Sequence, residues 1–420
     1  MVDLDELRAE VHSWLAGNWS LEITVREWWR RLYDAGLSMP TWPAPYGRGY
    51  PGAAARVVTE ELAALGAIAP PMGGMGVNLA GPTILEHGTP EQQARYLPGI
   101  LRGEESWCQL FSEPDAGSDL AGVGTTAVPD GDELVVNGQK VWNSGADVAD
   151  RGLLLARTDP DLPKHAGLTY FLLDMNQPGI EARPLRQMNG ESHFCEVFLN
   201  DARVSSADML GERGAGWRVA ATTLRSERAT VGSRAARGLV QLPSGSHVGV
   251  LDRTVGDLVK VQARQRAITG SAVPARKLIQ LAQERGVNND PHVRQQLVGY
   301  YTLTELNRFV QQRIRATGGQ GPGASIVKLL IAKICHTSRE VGFAVLGPDA
   351  MLWGEDSPYG GDLQTVGLAS FGTSIGGGTD EIQRNVIGER TLGLPREPQV
   401  DKDVPYRDLR VGTRRNGESK

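Results

Sequence analysis

The sequence predicts an α+β protein built in three consecutive blocks: helices, then strands, then helices. Three observations predict it. Apolar residues recur at helical spacing up to about residue 105, short β-branched runs broken by Pro, Gly and Asp fill the stretch from Trp107 to about Gly211, and helical spacing returns from Trp217. A chain of 420 residues, at roughly 150 per domain, has room for two or three domains with cores of their own.

In the first block, Leu4, Leu7, Val11, Trp14 and Leu15 form the stripe of an amphipathic helix; Val25, Trp28, Trp29 and Leu32 mark a second, and Val57, Val58, Leu62 and Leu65 a third. Thr89-Pro90-Glu91-Gln92 reads as a capping box with proline at the first helical position, opening a helix toward Leu97. In the middle block, Glu133 to Val136 and Gln139 to Trp142 read as two strands joined by a hairpin at Asn137-Gly138. Gly152 to Arg157, Leu168 to Asp174 and Cys195 to Val204 add strands of a small sandwich or barrel. In the last block, Ala220, Leu224 and Val231 begin a helical pattern that resumes through Leu278 to Leu281, Leu297 to Val310 and Ile326 to Leu346. Gln241 to Gly249 and Gly318 to Gly323 read as loops, and the residues from about Glu397 as a tail that wraps or frays.

Composition narrows the function. Hydrophobic residues at 40%, charged residues at 22% and a net charge of −5 describe an ordinary soluble globular protein with no electrostatic reason to bind nucleic acid. No run of about 18 apolar residues is available to span a bilayer, and the early acids Asp3, Asp5 and Glu6 argue against a secretory or transit peptide. The three cysteines form no Cys-x-x-Cys pair, which fits a reducing, cytoplasmic setting, and the seven histidines lack ligand spacing, so no metal is expected. Gly214-Ala-Gly216 lacks both the preceding strand and the third glycine of a dinucleotide loop. Neither a Gly-x-Ser-x-Gly elbow nor a Walker loop is present.

The segment Gln109-Leu-Phe-Ser-Glu-Pro-Asp-Ala-Gly-Ser-Asp119 stands out at the helix-to-strand boundary, where it offers hydroxyls and backbone N–H groups to a polar ring or phosphate. Read alone it is equally a surface turn. It resembles, however, the Ser-Glu-Pro-x-Ala-Gly-Ser-Asp signature of the acyl-CoA dehydrogenase family, with Tyr96-Leu-Pro-Gly-Ile-Leu-Arg-Gly103 ahead of it. The resemblance extends to Trp42-Pro43 with Tyr46-Gly47, to Lys140-Val-Trp142-Asn-Ser144, and to Val204 with Leu210-Gly-Glu-Arg-Gly-Ala-Gly-Trp217. It continues through Gly378-Thr-Asp-Glu-Ile-Gln-Arg384 and Gly388-Glu-Arg-Thr-Leu-Gly393, so it covers nearly every residue up to about 395 in the same order.

The resemblance implies an N-terminal helical domain (1–107), a middle β-sandwich or barrel domain (108–213), a C-terminal four-helix-bundle domain (214–396) and a tail (397–420). It implies FAD, with Phe111 and Ser112 supplying backbone N–H groups to the pyrimidine side of the isoalloxazine and Ser118 facing its pyrophosphate or pyrimidine region. Trp142 would pack beside the ring, Ser144 would reach N5, and Thr379 and Glu381 would lie near the FAD phosphates or ribose. Without the family context Trp142 would read as a core aromatic at a strand end. Ser118 and Arg228 are the substrate-contact candidates, Arg228 being equally open to a structural role. The resemblance also implies an acyl-CoA substrate, an electron-transfer flavoprotein as acceptor, and a homotetramer or dimer, with a hetero-oligomer open.

This sequence departs from the family at three places. The Arg-x-x-Phe-Gly segment is replaced around Arg285-Gly-Val-Asn-Asn-Asp-Pro-His-Val-Arg294, and the Gln-x-x-Gly-Gly segment by Ala344-Val-Leu-Gly347-Pro348. Where many members place the catalytic Glu, just before Gly-Thr of the last motif, stands Gly377. Glycine takes no proton, but a branch resembling isovaleryl- and long-chain acyl-CoA dehydrogenases carries the base on the first helix of the C-terminal domain. Glu227, in Leu224-Arg-Ser-Glu227-Arg228, occupies such a position, and it falls on the apolar face with Ala220, Leu224 and Val231, where a charge is costly unless paired or functional. The expected chemistry is removal of an α proton by Glu227 with hydride transfer to flavin N5, forming a trans-2-enoyl-CoA, the backbone N–H of Gly377 helping to hold the thioester oxygen. Two rival readings are a non-catalytic or FAD-sharing partner subunit of a heteromeric dehydrogenase, and an oxidase or monooxygenase on the same fold.

Overall fold

The computed structural model describes residues 2–72, 74–230, 239, 242–262, 272–317, 322–396, 398 and 401–409. The N-terminal helices are α1 (Leu4–Asn18), α2 (Val25–Asp34), α3 (Gly52–Ala64), α4 (Gly81–His87) and α5 (Pro90–Leu101). Asp3 caps α1 by accepting from the Asp5 and Glu6 N–H groups, Thr24 caps α2, and both halves of the Thr89/Gln92 capping box are formed on α5. The paired tryptophans of α2 are fully buried, and their indole N–H groups donate to the carbonyls of Ile68 and Ala69 at 2.8 Å each. A single π-helical turn, Gly76–Ala80, leads into α4.

Seven strands form one curled sheet: β1 (Trp107–Leu110), β2 (Thr126–Asp130), β3 (Glu133–Ser144), β4 (Arg151–Arg157), β5 (Leu168–Asp174), β6 (Ile180–Leu185) and β7 (Phe194–Ser205). Their order is β1-β4-β2-β3-β7-β6, with β5 also paired to β4. The period of two sorts β4 and β5 between two cores. Leu153, Leu155, Tyr170 and Leu172 face Tyr96, Leu97 and Val219, whereas Leu154, Ala156, Phe171 and Leu173 face Cys108, Val136 and Val197.

The hairpin expected at Asn137-Gly138 is not one. β3 runs straight through it with a register shift against β7 between Val136 and Gly138, and the turn between β2 and β3 lies at Gly131-Asp132 instead. The Asn137 amide is engaged across the sheet with Asp201, and a Cβ at Gly138 would overlap the Thr125 side chain and backbone. The glycine therefore serves close packing at a bulge rather than a reverse turn.

Helices return as α6 (Gly216–Thr230), α7 (Val255–Gln262), α8 (Ala275–Glu284), α9 (Pro291–Ala316), α10 (Gly323–Leu346), α11 (Asp362–Ala369) and α12 (Asp380–Arg390). Val231, expected on the stripe of α6, lies outside the described residues. Helices α8 to α11 share a core of Leu278, Leu281, Tyr300, Val341, Val345 and Leu363, while Val255 and Leu258 of α7 pack into the N-terminal core beside Trp28. The tail returns to the sheet. Tyr406 is buried with its ring 3.4 Å from the Arg157 guanidinium and its hydroxyl donating to the Gly122 carbonyl, and Lys164 bridges Asp119 and Asp401. Among the described residues no helix is long and apolar enough to cross a membrane, and no group of three or more His, Cys, Asp or Glu could hold a metal.

Candidate active site

Three elements converge on one carboxylate. Helix α6 is held against α4 and β5 by a buried hydroxyl chain in which Thr223 meets Thr83 and Tyr170 at 3.0 Å each, and Thr223 lies one turn before Glu227 on the same face. Glu227, half-buried, has the Gln109 side chain of β1 as a polar neighbour. Across from it stands Gly377: a Cβ placed there would lie 3.6 Å from Glu227 Oε1. A residue on the helix thus puts its carboxylate beside the point from which residue 377 would project a side chain. Burial pushes the Glu227 carboxyl above the usual carboxylate range, opposed by the Gln109 side chain and the Arg228 charge.

Gly377 itself adopts φ +67°, and its carbonyl accepts from Nε2 of the buried Gln383 at 2.9 Å. Gln383 therefore fixes the glycine-rich turn ahead of α12, and Thr379 caps that helix by accepting from the Ile382 N–H. Lys328, buried on α10, pairs with Asp380 at 2.6 Å and ties the start of α12 to the bundle. Glu381 is exposed and pairs with Arg384. Thr379 and Glu381 make no hydrogen bond or ion pair to the sheet among the described residues. Arg228 is partly buried between the charges of Glu227, Arg390 and Arg225, and burial lowers its pKa.

Phe111, Ser112, Trp142 and Ser144 do come together. The Ser112 carbonyl accepts from the Val141 N–H, and Asn143 Nδ2 donates to the Gln109 carbonyl at 2.6 Å, locking β3 to the end of β1. Beneath them Lys140, wholly buried, donates to the carbonyls of Phe111 and Leu155 and to Glu113, whose carboxylate also receives the N–H groups of Gly124 and Thr125. Trp142 sits at a register shift between Val141 and Asn143 with φ +64°, and its ring is 61% exposed. A bulky residue held in the left-handed region with its ring in solvent costs free energy. It is not the core aromatic that its strand-end position alone predicts. Ser118 is exposed at the outer end of the same loop.

Sequence reasoning missed Gln109, Gln383 and Lys328. Arg285, at the altered segment, faces inward: it donates to the carbonyls of Val345 and Leu346 and pairs with Asp349, closing the end of α10.

Residues 5–104 match the acyl-CoA dehydrogenase N-terminal domain and residues 108–202 the acyl-CoA dehydrogenase middle domain. The chain is 36% identical over 416 residues to acyl-CoA dehydrogenase IpdE1 of Mycobacterium tuberculosis, covering 94% of this chain and 99% of that protein. It belongs to the acyl-CoA dehydrogenase family.

Two solved structures resemble this acyl-CoA dehydrogenase throughout. The Tcur3481-Tcur3483 steroid ACAD aligns with a TM-score of 0.69 at 27% identity over 94% of this chain and 98% of that one. The ChsE4-ChsE5 complex of Mycobacterium tuberculosis aligns with a TM-score of 0.67 at 27% identity over the same shares. The chain is therefore an oxidoreductase, and its reaction is the dehydrogenation of an acyl-CoA.

Proposed function

We propose that this enzyme converts an acyl-CoA thioester to the trans-2-enoyl-CoA with Glu227 as the base and FAD as the cofactor. The observation that carries the reading is the pairing of Glu227 Oε1 with the empty side-chain position of Gly377. The described residues fit a planar, amide-bearing ring beside β3. Trp142 presents an exposed aromatic face, the buried Asn143 Oδ1 has no hydrogen-bond partner, and the backbone beyond β1 supplies the N–H groups of Phe111 and Ser112. Ser144 and Ser118 would complete the sheet side of that site, with Thr379 and Glu381 at the start of α12 toward the phosphates or ribose. FAD, when bound, supplies the two-electron acceptor to which the β hydrogen leaves as hydride.

Glu227 takes the α proton and becomes a carboxylic acid, and the electron pair freed at Cα forms the new double bond as the β hydride departs. The raised affinity of a buried carboxylate for a proton suits this step, because acceptance is then less uphill. The N–H of Gly377 stabilises charge on the thioester oxygen, and Gln383 keeps that turn from relaxing. Glu227→Gln is expected to lower kcat by a factor of about 10² or more while leaving bound flavin yellow, since an amide cannot accept the proton. Near-full bleaching of that variant by acyl-CoA under anaerobic conditions would overturn the assignment.

The absence of a side chain at residue 377 leaves room for a bulky acyl group, and one similar solved structure is titled a steroid ACAD. A panel of short, long, branched and steroid-like acyl-CoAs identifies the class by which one bleaches the flavin. Assembly with a second, different chain is favoured by two observations: similar structures are named for two polypeptides each, and Arg285 is engaged within its own chain. Flavin retained only after co-expression with a partner would mark the chain as an FAD-sharing subunit. Arg228 as a substrate contact, an electron-transfer flavoprotein as acceptor and a cytoplasmic setting, fitted by three buried free cysteines, complete the reading.

A further inference from the structure

The residues that follow Ser118 are gripped by side chains from distant parts of the chain. Arg157, at the end of β4, is buried and donates to the carbonyls of Ala121 at 2.7 Å and Val123 at 3.1 Å, and to that of Lys164 at 3.1 Å. Lys164 in turn donates to both carboxylate oxygens of Asp119. The tail adds its own hold: the Tyr406 hydroxyl donates to the Gly122 carbonyl at 3.2 Å, and its ring lies 3.4 Å from the Arg157 guanidinium. Backbone bonds seat the tail there, from the Tyr406 N–H to the Leu162 carbonyl and from the Arg407 N–H to the Pro160 carbonyl at 3.0 Å each, and Asp401 shares Lys164 with Asp119. Asp119, Ala121, Gly122 and Val123 are thus held in the turn that begins one residue after Ser118.

We propose that residues 401–409 are a strap that sets the Asp119–Val123 turn, and through it Ser118, for binding FAD and acyl-CoA, with Tyr406 as its positioning residue. This rests on Ser118 facing those ligands. A guanidinium covered by an aromatic ring and shut off from water binds carbonyl oxygens more strongly than a solvated one, so the tyrosine tightens the hold of Arg157 on Ala121 and Val123. The strap itself commits little apolar surface to the fold. Of residues 401–409 only Tyr406 is buried, while Lys402, Asp403, Arg407 and Asp408 are exposed. Removing the ring therefore loosens the turn without unfolding the sheet beneath it.

The test uses the FAD-loaded full chain with Tyr406→Ala, with Tyr406→Phe, which keeps the ring on Arg157, and with Asp401→Asn, a partly exposed change. In Tyr406→Ala, amide hydrogen exchange at residues 119–124 is expected to quicken about tenfold while α10 keeps its protection. The Kd for FAD, and the KM for whichever acyl-CoA of the panel above bleaches the flavin, are expected to rise about tenfold with kcat within about twofold, because the groups around Glu227 are untouched. Tyr406→Phe should stay within about threefold of the parent, and Asp401→Asn should shift the same constants about two- to threefold. Unchanged exchange at 119–124, exchange quickened through α10 and the sheet alike, or a fall in kcat with KM and Kd kept would overturn the strap. Ser118→Ala separates this from failure of the underlying reading. If that variant weakens neither ligand, Ser118 does not face them and the reading fails; if it weakens them while Tyr406→Ala does not, the strap alone fails.

Discussion

Lys140→Met is the sharpest probe of what holds the cofactor side of the site. The ammonium is entirely buried and makes three hydrogen bonds: 3.0 Å to the Phe111 carbonyl, 2.8 Å to the Leu155 carbonyl and 2.9 Å to Glu113 Oε1. Burial pulls the Lys140 pKa down while Glu113 holds it up; burial pushes Glu113 up, but the Lys140 charge and its hydrogen bonds more than reverse this, leaving that carboxyl below the usual range. Removing the lysine strands a largely buried carboxylate, a change typically worth about 3–5 kcal/mol, and leaves two dry carbonyls at about 1 kcal/mol or more each. Glu113 keeps the N–H groups of Gly124 and Thr125, so the carboxylate falls at the lower end of its range, and about 5 kcal/mol in all is expected. Urea unfolding followed by circular dichroism gives the number, and flavin fluorescence gives the accompanying loss of FAD affinity, expected to be about tenfold because the Phe111 peptide loses its anchor. The double variant Lys140→Met/Glu113→Gln, which removes the stranded charge, should recover roughly half of the lost stability. A single variant costing under about 1 kcal/mol, or a double variant no better than the single, would refute the account of this pair.

Gly377→Ala should fold, because its methyl would meet Glu227 Oε1 at an ordinary 3.6 Å, at a backbone cost of about 1–2 kcal/mol for φ +67°. It should cut kcat/KM at least about tenfold with an unchanged flavin spectrum, and a wild-type kcat/KM would remove Gly377 from the site. Glu227→Gln should also be more stable than the parent at pH 8, by on the order of 1 kcal/mol. The sign follows from burial: with the folded pKa raised above the unfolded one, the parent loses stability as pH rises from the unfolded value through the folded one. The advantage of the amide should therefore shrink on acidification toward pH 4, and thermal melts at both pH values check it.

The three-block order was legible because burial repeats along a chain with the period of its secondary structure, and the stripes Leu7-Val11-Leu15 and Leu278-Leu281 are buried as their spacing requires. Asn137-Gly138 misled for a physical reason: the same dipeptide suits a hairpin and a bulge, and only the cross-sheet contacts with Thr125 and Asp201 decide between them. Strands β1, β2 and β6 escaped notice because each is short and two of them lie largely exposed. At the site, Glu227 could be found from sequence because an acid on an apolar helical face is costly. Gln109 and Gln383 could not, since an uncharged amide carries no such signature until the opposing element is in place. Trp142 was visible, but not the left-handed backbone that turns its ring outward.

The geometry around Gly377 explains how one reaction could be served from two places in a chain. What the chemistry requires is a carboxylate at a point, and that point lies within van der Waals reach both of a side chain at residue 377 and of one at residue 227. The two deliveries differ in stiffness. A side chain on residue 377 would stand on a turn of consecutive glycines, whereas Glu227 stands on a helix anchored one turn earlier by Thr223 to both Thr83 and Tyr170. A base aimed by packed backbone needs little reorganisation when substrate arrives, which favours reactive geometry. On the proposed assignment the glycine turn is left to donate an N–H and to vacate space, and the restraints it retains fit that division. Gln383 holds the Gly377 carbonyl and Lys328 holds Asp380, so the turn is tied down on either side of Gly378 and Thr379.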